Sequence, residues 1–340
     1  MSEYQEYTIT LGFTAALGSK LQSDTIFGQI CWAIRYLMGE GNLKDFLNSY
    51  GKDIQSPLLV SNGFPSGCLP KPIMPPVTQE EIQAVVSANG DERVHASHKI
   101  TTIKKMDIVP KKVLQKFQQT LLNPAALFTA LYEDTTYTSI LKADEGQTTA
   151  VVQHNTIDRV LGSVRRGGLY TQEDTFFDPA STVFEIYLKT SLFSKAELIK
   201  LFRFISIEGF GRDGSTGKGH FEFSIDEGIS LPEAEKPNAF MTLSSYIPTV
   251  NDPVKGYYGI VHKYGKLGGL YARGIDEVRG NPFKVPIIMF SAGSTFFDQS
   301  YHKDKIYGGL IGAVHQNEHI RHYAYAFPLG VNIEEKYENL

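Results

Sequence analysis

The stretch from Gly209 to Gly219 holds five glycines in eleven residues, together with Arg212, Ser215, Thr216 and Lys218. Glycines let backbone amides approach phosphate closely, hydroxyls donate to its oxygens and cations neutralise it. Gly211, Arg212, Gly214, Ser215, Thr216, Gly217, Lys218 and Gly219 therefore make a candidate cradle for a nucleic-acid backbone. The same composition equally suits a flexible connector whose glycines serve a tight crossing. Nucleotide-binding motifs do not fit. Residues 209–214 match GxGxxG, but a helical pattern precedes them and a strand pattern follows, the reverse of what brings helix amides to a pyrophosphate. A Walker A reading puts Arg212 where its first glycine belongs, and Gly219 after Lys218 where a hydroxyl is required.

A second cluster runs from Gln153 to Tyr170 and carries His154, Asn155, Arg159, Arg165, Arg166 and Tyr170 about Gly167-Gly168. It reads as a projecting hairpin turning at the glycine pair, with arginines for phosphates and Val160, Leu161 and Val164 able to wedge between bases. Alternatively Ile157, Val160 and Leu161 are core residues and Asp158-Arg159 a surface ion pair. Histidines supply a third set. His95 and His98 stand with Lys99, and His315, His319 and His322 have i, i+4, i+7 spacing that would share a helix face. Neither group has a carboxylate or cysteine placed to complete a metal site, so no metal or cofactor is expected, and a hydrogen-bonded surface cluster is the reading of the second group.

The elements that must position these residues follow from periodicity. Tyr7, Ile9, Leu11 and Phe13 alternate with small or polar residues as a strand. Ser23-Asp24 can cap a helix with Ile26, Phe27, Ile30, Ile34 and Leu37 on one stripe and Gly39 past its end. Phe184, Ile186 and Leu188 form another strand. Ser194 and Glu197 have capping-box spacing before Leu198, Leu201, Phe202 and Ile205, and Phe221, Phe223 and Ile225 alternate again. Strand, helix, strand thus occurs twice, with a further strand at Leu58-Leu59-Val60. This suits an α+β, ferredoxin-like (RRM-like) sheet with helices on one face and the other face open.

Between the two units lies a long insertion, about 56–150. Six of the sixteen prolines fall within 57–76, which predicts an irregular excursion. Residues 93–118 hold seven Lys/Arg (Arg93, Lys99, Lys104, Lys105, Lys111, Lys112, Lys116) against Asp107 alone, either a ligand-facing arm or a solvated face. Glu222–Glu235 carries five acids and no base, a candidate boundary between a domain at 1–235 and a smaller one at 236–340. The latter reads as mostly strands, at 241–247, 257–264, 286–291 and 322–327.

Composition bounds the function. Hydrophobic residues make up 42% and charged residues 21% of the 340, a globular balance that excludes disorder or coiled coil as the main architecture. With 33 Lys+Arg against 37 Asp+Glu the formal charge is −4, so any nucleic-acid site must be local rather than a chain-wide field. Cys31 and Cys68 offer neither a disulfide framework nor a thiolate zinc site and suit a reducing cytosol. The acidic start, Met1 to Glu6, is unlike a signal peptide, and no apolar run spans a membrane, so a cytoplasmic protein is expected.

Ser23-Asp24-Thr25-Ile26-Phe27-Gly28, the His154-Asn155-Thr156-Ile157-Asp158-Arg159 cluster with Gly168-Leu169-Tyr170 behind it, and the Gly209–Gly219 loop, taken in order, resemble the RAMP superfamily of CRISPR RNA-binding proteins. Within it the chain is similar to the fourth-subunit family of the type III-A Csm effector complex. Lys263-Tyr264-Gly265-Lys266-Leu267-Gly268-Gly269 and Phe290-Ser291-Ala292-Gly293-Ser294 extend the likeness over nearly the whole chain. The resemblance implies a RAMP domain with an insertion, followed by a degenerate ferredoxin-like second domain.

It also implies a non-catalytic, antiviral crRNA-binding subunit that grips the repeat-derived 5′ handle and kinks the RNA with a hairpin. Such a subunit bridges the large polymerase-like Csm subunit to the adjacent backbone RAMP subunit. Asn155, Arg159, Arg165, Arg166 and Tyr170 would then lie on or beside the hairpin, with Arg212, Ser215, Thr216 and Lys218 along the handle groove. Backbone subunits of the superfamily cut target RNA with an acid near the first helix. Asp24 stands there, but its place at the helix start suits N-capping. Two alternatives remain. Some RAMP proteins are metal-independent repeat-processing endoribonucleases, for which His95, His98 and His154 are the candidates. The other is an assembly subunit without RNA contact.

Overall fold

Alternation places Tyr7, Ile9, Leu11 and Phe13 on the buried side of β1 (Gln5–Phe13), with Thr8, Thr10 and Gly12 on the other. The computed structural model describes residues 4–51, 56–134, 147–158, 160–178, 182–273 and 281–335. After β1 come α1 (Ser23–Met38) and α2 (Glu40–Ser49), joined at Gly39, whose N–H donates to the Arg35 carbonyl. The expected cap of α1 is corrected: Gln22 holds the cap position without a side-chain bond, Ser23 N–H donates to Asn62 Oδ1 at 2.8 Å, and Asp24 lies inside the first turn.

The proline-rich excursion contains three short strands, β2 (Leu58–Val60), β3 (Phe64–Pro65) and β4 (Cys68–Pro70), each too short for the prolines to disrupt. Then follow α3 (Gln79–Asn89), α4 (Arg93–Lys105), β5 (Ile108–Pro110), α5 (Lys111–Gln115) and α6 (Pro124–Glu133). β5 pairs with β4. The long hairpin β6 (Gln147–Asp158) and β7 (Ser163–Phe177) precedes β8 (Phe184–Thr190), α7 (Lys195–Glu208) and β9 (Phe221–Glu227). Ser194 and Glu197 form the expected capping box at the start of α7, and Leu198, Leu201, Phe202 and Ile205 are buried.

The main sheet is antiparallel in the order β2-β8-β1-β9, with β3 also on β8. The order of its strands and principal helices is β1, α1, β2, β8, α7, β9, and the insertion and hairpin enter between β2 and β8. Ile9 lies opposite Ile186 on one side and Ile225 on the other, so one apolar face crosses three strands.

The second face is not open. Thr8 pairs with Tyr187 and Glu6 with Lys189 on that face, and Tyr187 and Lys189 are both buried. The insertion covers part of it: Lys111 Nζ and Ser66 Oγ each donate to the Glu185 carboxylate at 2.6 Å, and Lys111 lies over the Tyr187 ring. The C-terminal part covers more, since Phe327 packs on Tyr187, and Glu6 meets Lys303 at 2.9 Å and Lys189 at 3.3 Å. Polar side chains on a strand are therefore no sign of solvent here, because long insertions supply their partners.

The regular elements of the C-terminal part are nearly all short strands set among long loops: β10 (Ala239–Thr242), β11 (Gly256–Tyr257), β12 (Ile260–Lys263), β13 (Ile287–Phe290), β14 (Thr295–Phe297), β15 (Gly308–Ile311), β16 (His322–Tyr325) and β17 (Pro328–Val331). They form one four-stranded sheet, β11-β14-β10-β17, and the pairs β12-β13 and β15-β16. The expected strands at 241–247 and 257–264 are shorter or broken. Of the acidic segment Glu222–Glu235, the first part lies in β9 and the rest is irregular, yet the apolar core continues across it. Tyr323 carries that continuity: its ring stacks on Phe27 of α1 at 4.7 Å, and its hydroxyl accepts from the Val60 amide at 2.9 Å.

Ile9, wholly buried at the centre of the sheet, and Ile288, exposed on β13, give contrasting expectations. Ile9→Ala should lower stability to urea by about 2–5 kcal/mol, whereas Ile288→Ser should change it by less than about 0.5 kcal/mol.

Candidate nucleic-acid interface

β6 and β7 pair from Gln147 with Phe177 out to Asp158 with Ser163. The turn is not at the glycine pair. It lies further out, with Val160, Leu161 and Gly162 in it, where Asp158 Oδ1 accepts from the amides of Val160 at 2.9 Å and Leu161 at 3.2 Å, and Gly162 adopts φ 62°. Asp158 caps this turn with its carboxylate, so local hydrogen bonding outweighs the glycine signal. Arg165-Arg166-Gly167-Gly168 instead form a break in register, where the pairing steps from Asn155–Leu169 to Ile157–Val164. Gly167, at φ 76°, accommodates the extra residues.

Val160 is 93% exposed, and Leu161, Ile157 and Val164 are exposed with it, which excludes the core reading of these residues. The tip is an apolar wedge held away from the body. Behind it His154 lies opposite Tyr170, their rings stacked at 5.4 Å and 15°, with Tyr170 half exposed and Asn155 exposed beside them. His154 Nε2 is buried without a hydrogen-bond partner. Arg159 lies outside the described residues, as do the side chains of Arg165 and Arg166.

The root of the hairpin is fastened at three points. Leu17 and Thr175 exchange backbone hydrogen bonds at 2.8 and 3.1 Å. Phe177 packs between Phe13 and Phe184 in the main core. Asp174, only 2% exposed, receives Lys218 Nζ at 2.7 Å on one carboxylate oxygen and 2.9 Å on the other. Arg212 Nη2 adds contacts to the Glu173 carbonyl at 3.1 Å and to Asp174 at 3.4 Å. Asp213 stands 3.4 Å from Arg212 and 3.5 Å from Lys218. The expectation of an open phosphate ligand at Lys218 is therefore corrected. In this chain it is a partly buried counter-ion, because a carboxylate removed from water needs a cation beside it.

The glycine-rich loop begins after a helix and ends before a strand, as its sequence context indicates. Its glycines include tightly packed ones. A Cβ on Gly209 would lie 2.2 Å from the Lys218 carbonyl and one on Gly219 2.2 Å from the Phe210 carbonyl, so the two ends of the loop pass within backbone contact. Gly211 packs on Ser19 and Gly214 on the Glu208 carbonyl. Ser215, Thr216 and Gly217 form an exposed edge, and Arg212 remains 40% exposed alongside. Thr216 Oγ1 donates to the Asp213 carbonyl at 2.9 Å.

Asp24 belongs elsewhere. Its carboxylate meets Lys263 at 2.7 and 3.0 Å and lies 3.9 Å from His322, while Lys263 also donates to Gln22. It ties α1 to β12 and β16 and is neither a helix cap nor exposed. Burial, with Lys284 and Lys263 nearby outweighing Asp24, holds the His322 imidazole down at about 4. His315 and His319 lie in turns and not on a helix, so they share no face with buried His322. The basic stretch 93–118 is partly committed: Lys99 reaches Asp91, Lys111 Glu185 and Lys112 Asp134. Among the described residues no group of three His, Cys, Asp or Glu could hold a metal ion. Among the described residues no helix is long and apolar enough to cross a membrane.

No family model matches the sequence, and no curated protein does. Solved structures match over almost the full length. A chain of a Csm1-Csm4 cassette in complex with AMPPNP gives TM-score 0.54 at 17% identity, covering 97% of this chain and 99% of that one. A chain of the cassette with cA4 gives 0.53 at 16% identity with the same coverage. A chain of a Csm3-Csm4 subcomplex in the type III-A CRISPR-Cas interference complex gives 0.54 at 14% identity, covering 96% and 99%. Csm4 is the component common to these complexes. The chain has the Csm4 fold. Among the residues singled out from sequence, the fold brings the glycine-rich loop beside the hairpin root and leaves His95 and His98 on α4 of the insertion. Sequence reasoning missed Asp174, which stands beside Glu173 in a Thr- and Gln-containing strand with nothing local to mark it as buried, and Ser19, which accepts from the Arg212 amide at 2.9 Å.

Gly219→Ala should cost roughly 4 kcal/mol or more in thermal or urea unfolding, since the loop ends cannot separate. Gly217→Ala, with φ 95° but open space around it, should cost about 1–2 kcal/mol from backbone strain alone. His322 titrates lower folded than its ordinary value of 6.5, so the unfolded chain takes up the proton first. Its contribution is complete above pH 6.5 and falls as pH drops toward 4, by on the order of 3 kcal/mol. Urea midpoints of the His322→Gln variant should be flatter across that window.

Proposed function

We propose that this chain is a non-catalytic crRNA-binding subunit of a type III-A Csm ribonucleoprotein, holding the repeat-derived 5′ handle and bridging the large polymerase-like subunit to the adjacent backbone subunit. The reading takes the chain as a ferredoxin-like RAMP domain followed by a degenerate second one. The likeness to Csm4 over almost the whole length supports membership of a Csm complex. One observation carries the RNA reading: a long two-stranded hairpin projects with an exposed apolar tip, an arginine-bearing register break and a stacked His154–Tyr170 pair, and its root meets the glycine-rich loop.

An exposed apolar tip is costly to keep in water unless a partner covers it. Beside cations and a π-face, a single-stranded oligoribonucleotide with splayed bases fits that surface. Arg165 and Arg166 act on phosphates, Val160 and Leu161 separate two bases, and Tyr170 offers a ring to a third. Arg212, Ser215, Thr216 and the exposed Gly217 edge continue the path along the handle.

Sequencing the short transcripts that copurify with the tagged protein should show a shared repeat-derived 5′ end. Arg165→Ala with Arg166→Ala should release the transcripts without changing the melting temperature. With about five phosphates held, log K should fall against log salt with a slope near −3.5. Site-specific cleavage of repeat RNA in EDTA, lost on changing His95, His98 or His154, would replace this reading by the endoribonuclease.

A further inference from the structure

A ribbon of two strands has little rigidity of its own, so the direction in which β6 and β7 point is set where they join the body. The Leu17–Thr175 backbone bridge fixes position but allows rotation about the strand, and Phe177 anchors only the end of β7. Asp174 supplies the contact off that axis. Its two oxygens both meet Lys218 Nζ, which leaves no freedom to turn, and Arg212 spans its side chain and the carbonyl of Glu173. The cations come from a loop that is itself rigid, because its ends cross within backbone contact at Gly209 and Gly219.

We infer that Asp174 is the positioning residue of the interface, fixing the angle between the hairpin and the glycine-rich loop so that both present to one bent RNA strand. The inference rests on the hairpin reading above and adds what sets its direction. Asp174 meets Arg212 and Lys218 of the loop whose exposed edge is Ser215 to Gly217, and His154 and Tyr170 pair four positions further out along the ribbon. A strand running from loop to tip therefore crosses the junction that Asp174 holds. Asp174 touches no RNA in this arrangement; it acts through Lys218 and Arg212.

Spin labels at Val160→Cys and Ile207→Cys, both exposed positions, read the tip-to-α7 distance in the full-length chain by double electron–electron resonance. The two native thiols, Cys31 and Cys68, are replaced by Ala in the labelled protein, so that only the introduced positions carry a label. Asp174→Asn is expected to widen the distance distribution about twofold. Lys218→Gln, which leaves Asp174 its Arg212 contact, should widen it less, and it decides the matter if Asp174→Asn does not fold. Unchanged widths overturn the assignment. A second readout is 2-aminopurine at the handle–guide junction of bound crRNA, bright when unstacked: it should dim in Asp174→Asn, and a widened distribution with undiminished brightness overturns the positioning role. If the unsubstituted complex shows no unstacked signal, the hairpin reading fails, while the spin-label distances still decide Asp174.

Discussion

A carboxylate taken out of water must be met by cations, and Asp174 is met by two. That constraint organises the interface. β6 and β7 form the longest strand pair among the described residues, and a hairpin of this kind is marginal by itself. It holds a direction because the body supplies a backbone bridge at Leu17, an aromatic socket for Phe177 and the Lys218–Arg212 pair for Asp174. The glycine-rich loop thus has two faces. Lys218 points inward to the hairpin root, Arg212 meets the root while staying half exposed, and the small residues, Ser215 to Gly217, form the outer edge.

The same balance between burial and partners appears across the main sheet. Its second face carries Glu6, Glu185, Tyr187 and Lys189, groups normally left to solvent, yet the insertion and the C-terminal strands cover them with Lys111, Ser66, Lys303 and Phe327. Covering both faces joins these segments in one large apolar cluster, beside a smaller one about Phe240, Tyr246, Phe296 and Tyr307. Tyr323, stacked on Phe27 and bonded to the Val60 amide, shows how: a ring serves the core while its hydroxyl satisfies a strand end.

Local rules read well where the cause was local. The Ser194–Glu197 capping box, the stripe Leu198, Leu201, Phe202 and Ile205, and the alternation in β1 each depend on neighbours within a few residues, and each is present. Elsewhere a contact distant in the chain won. Asp24 would suit a cap, but Lys263 and His322, some 240 and 298 residues further on, hold its carboxylate inside the turn. The spacing of His315, His319 and His322 fits a helix, but β15 claims His322 as a strand partner. Gly167-Gly168 signals a turn, and Asp158 makes the turn earlier by binding two amides itself.

From the sequence alone came the α+β class, the order of strands and helices in the main sheet, the insertion, the cation and glycine clusters and the hairpin. All of these follow from periodicity, composition and short-range hydrogen bonding. Only the tertiary structure decided that the hairpin root lies against the glycine-rich loop, that Lys218 faces a carboxylate 44 residues away, and that the sheet is covered on both sides. The reason is physical. Short-range rules say which side chains share a face, but which charge neutralises a buried Asp174 depends on what the folded chain carries to it.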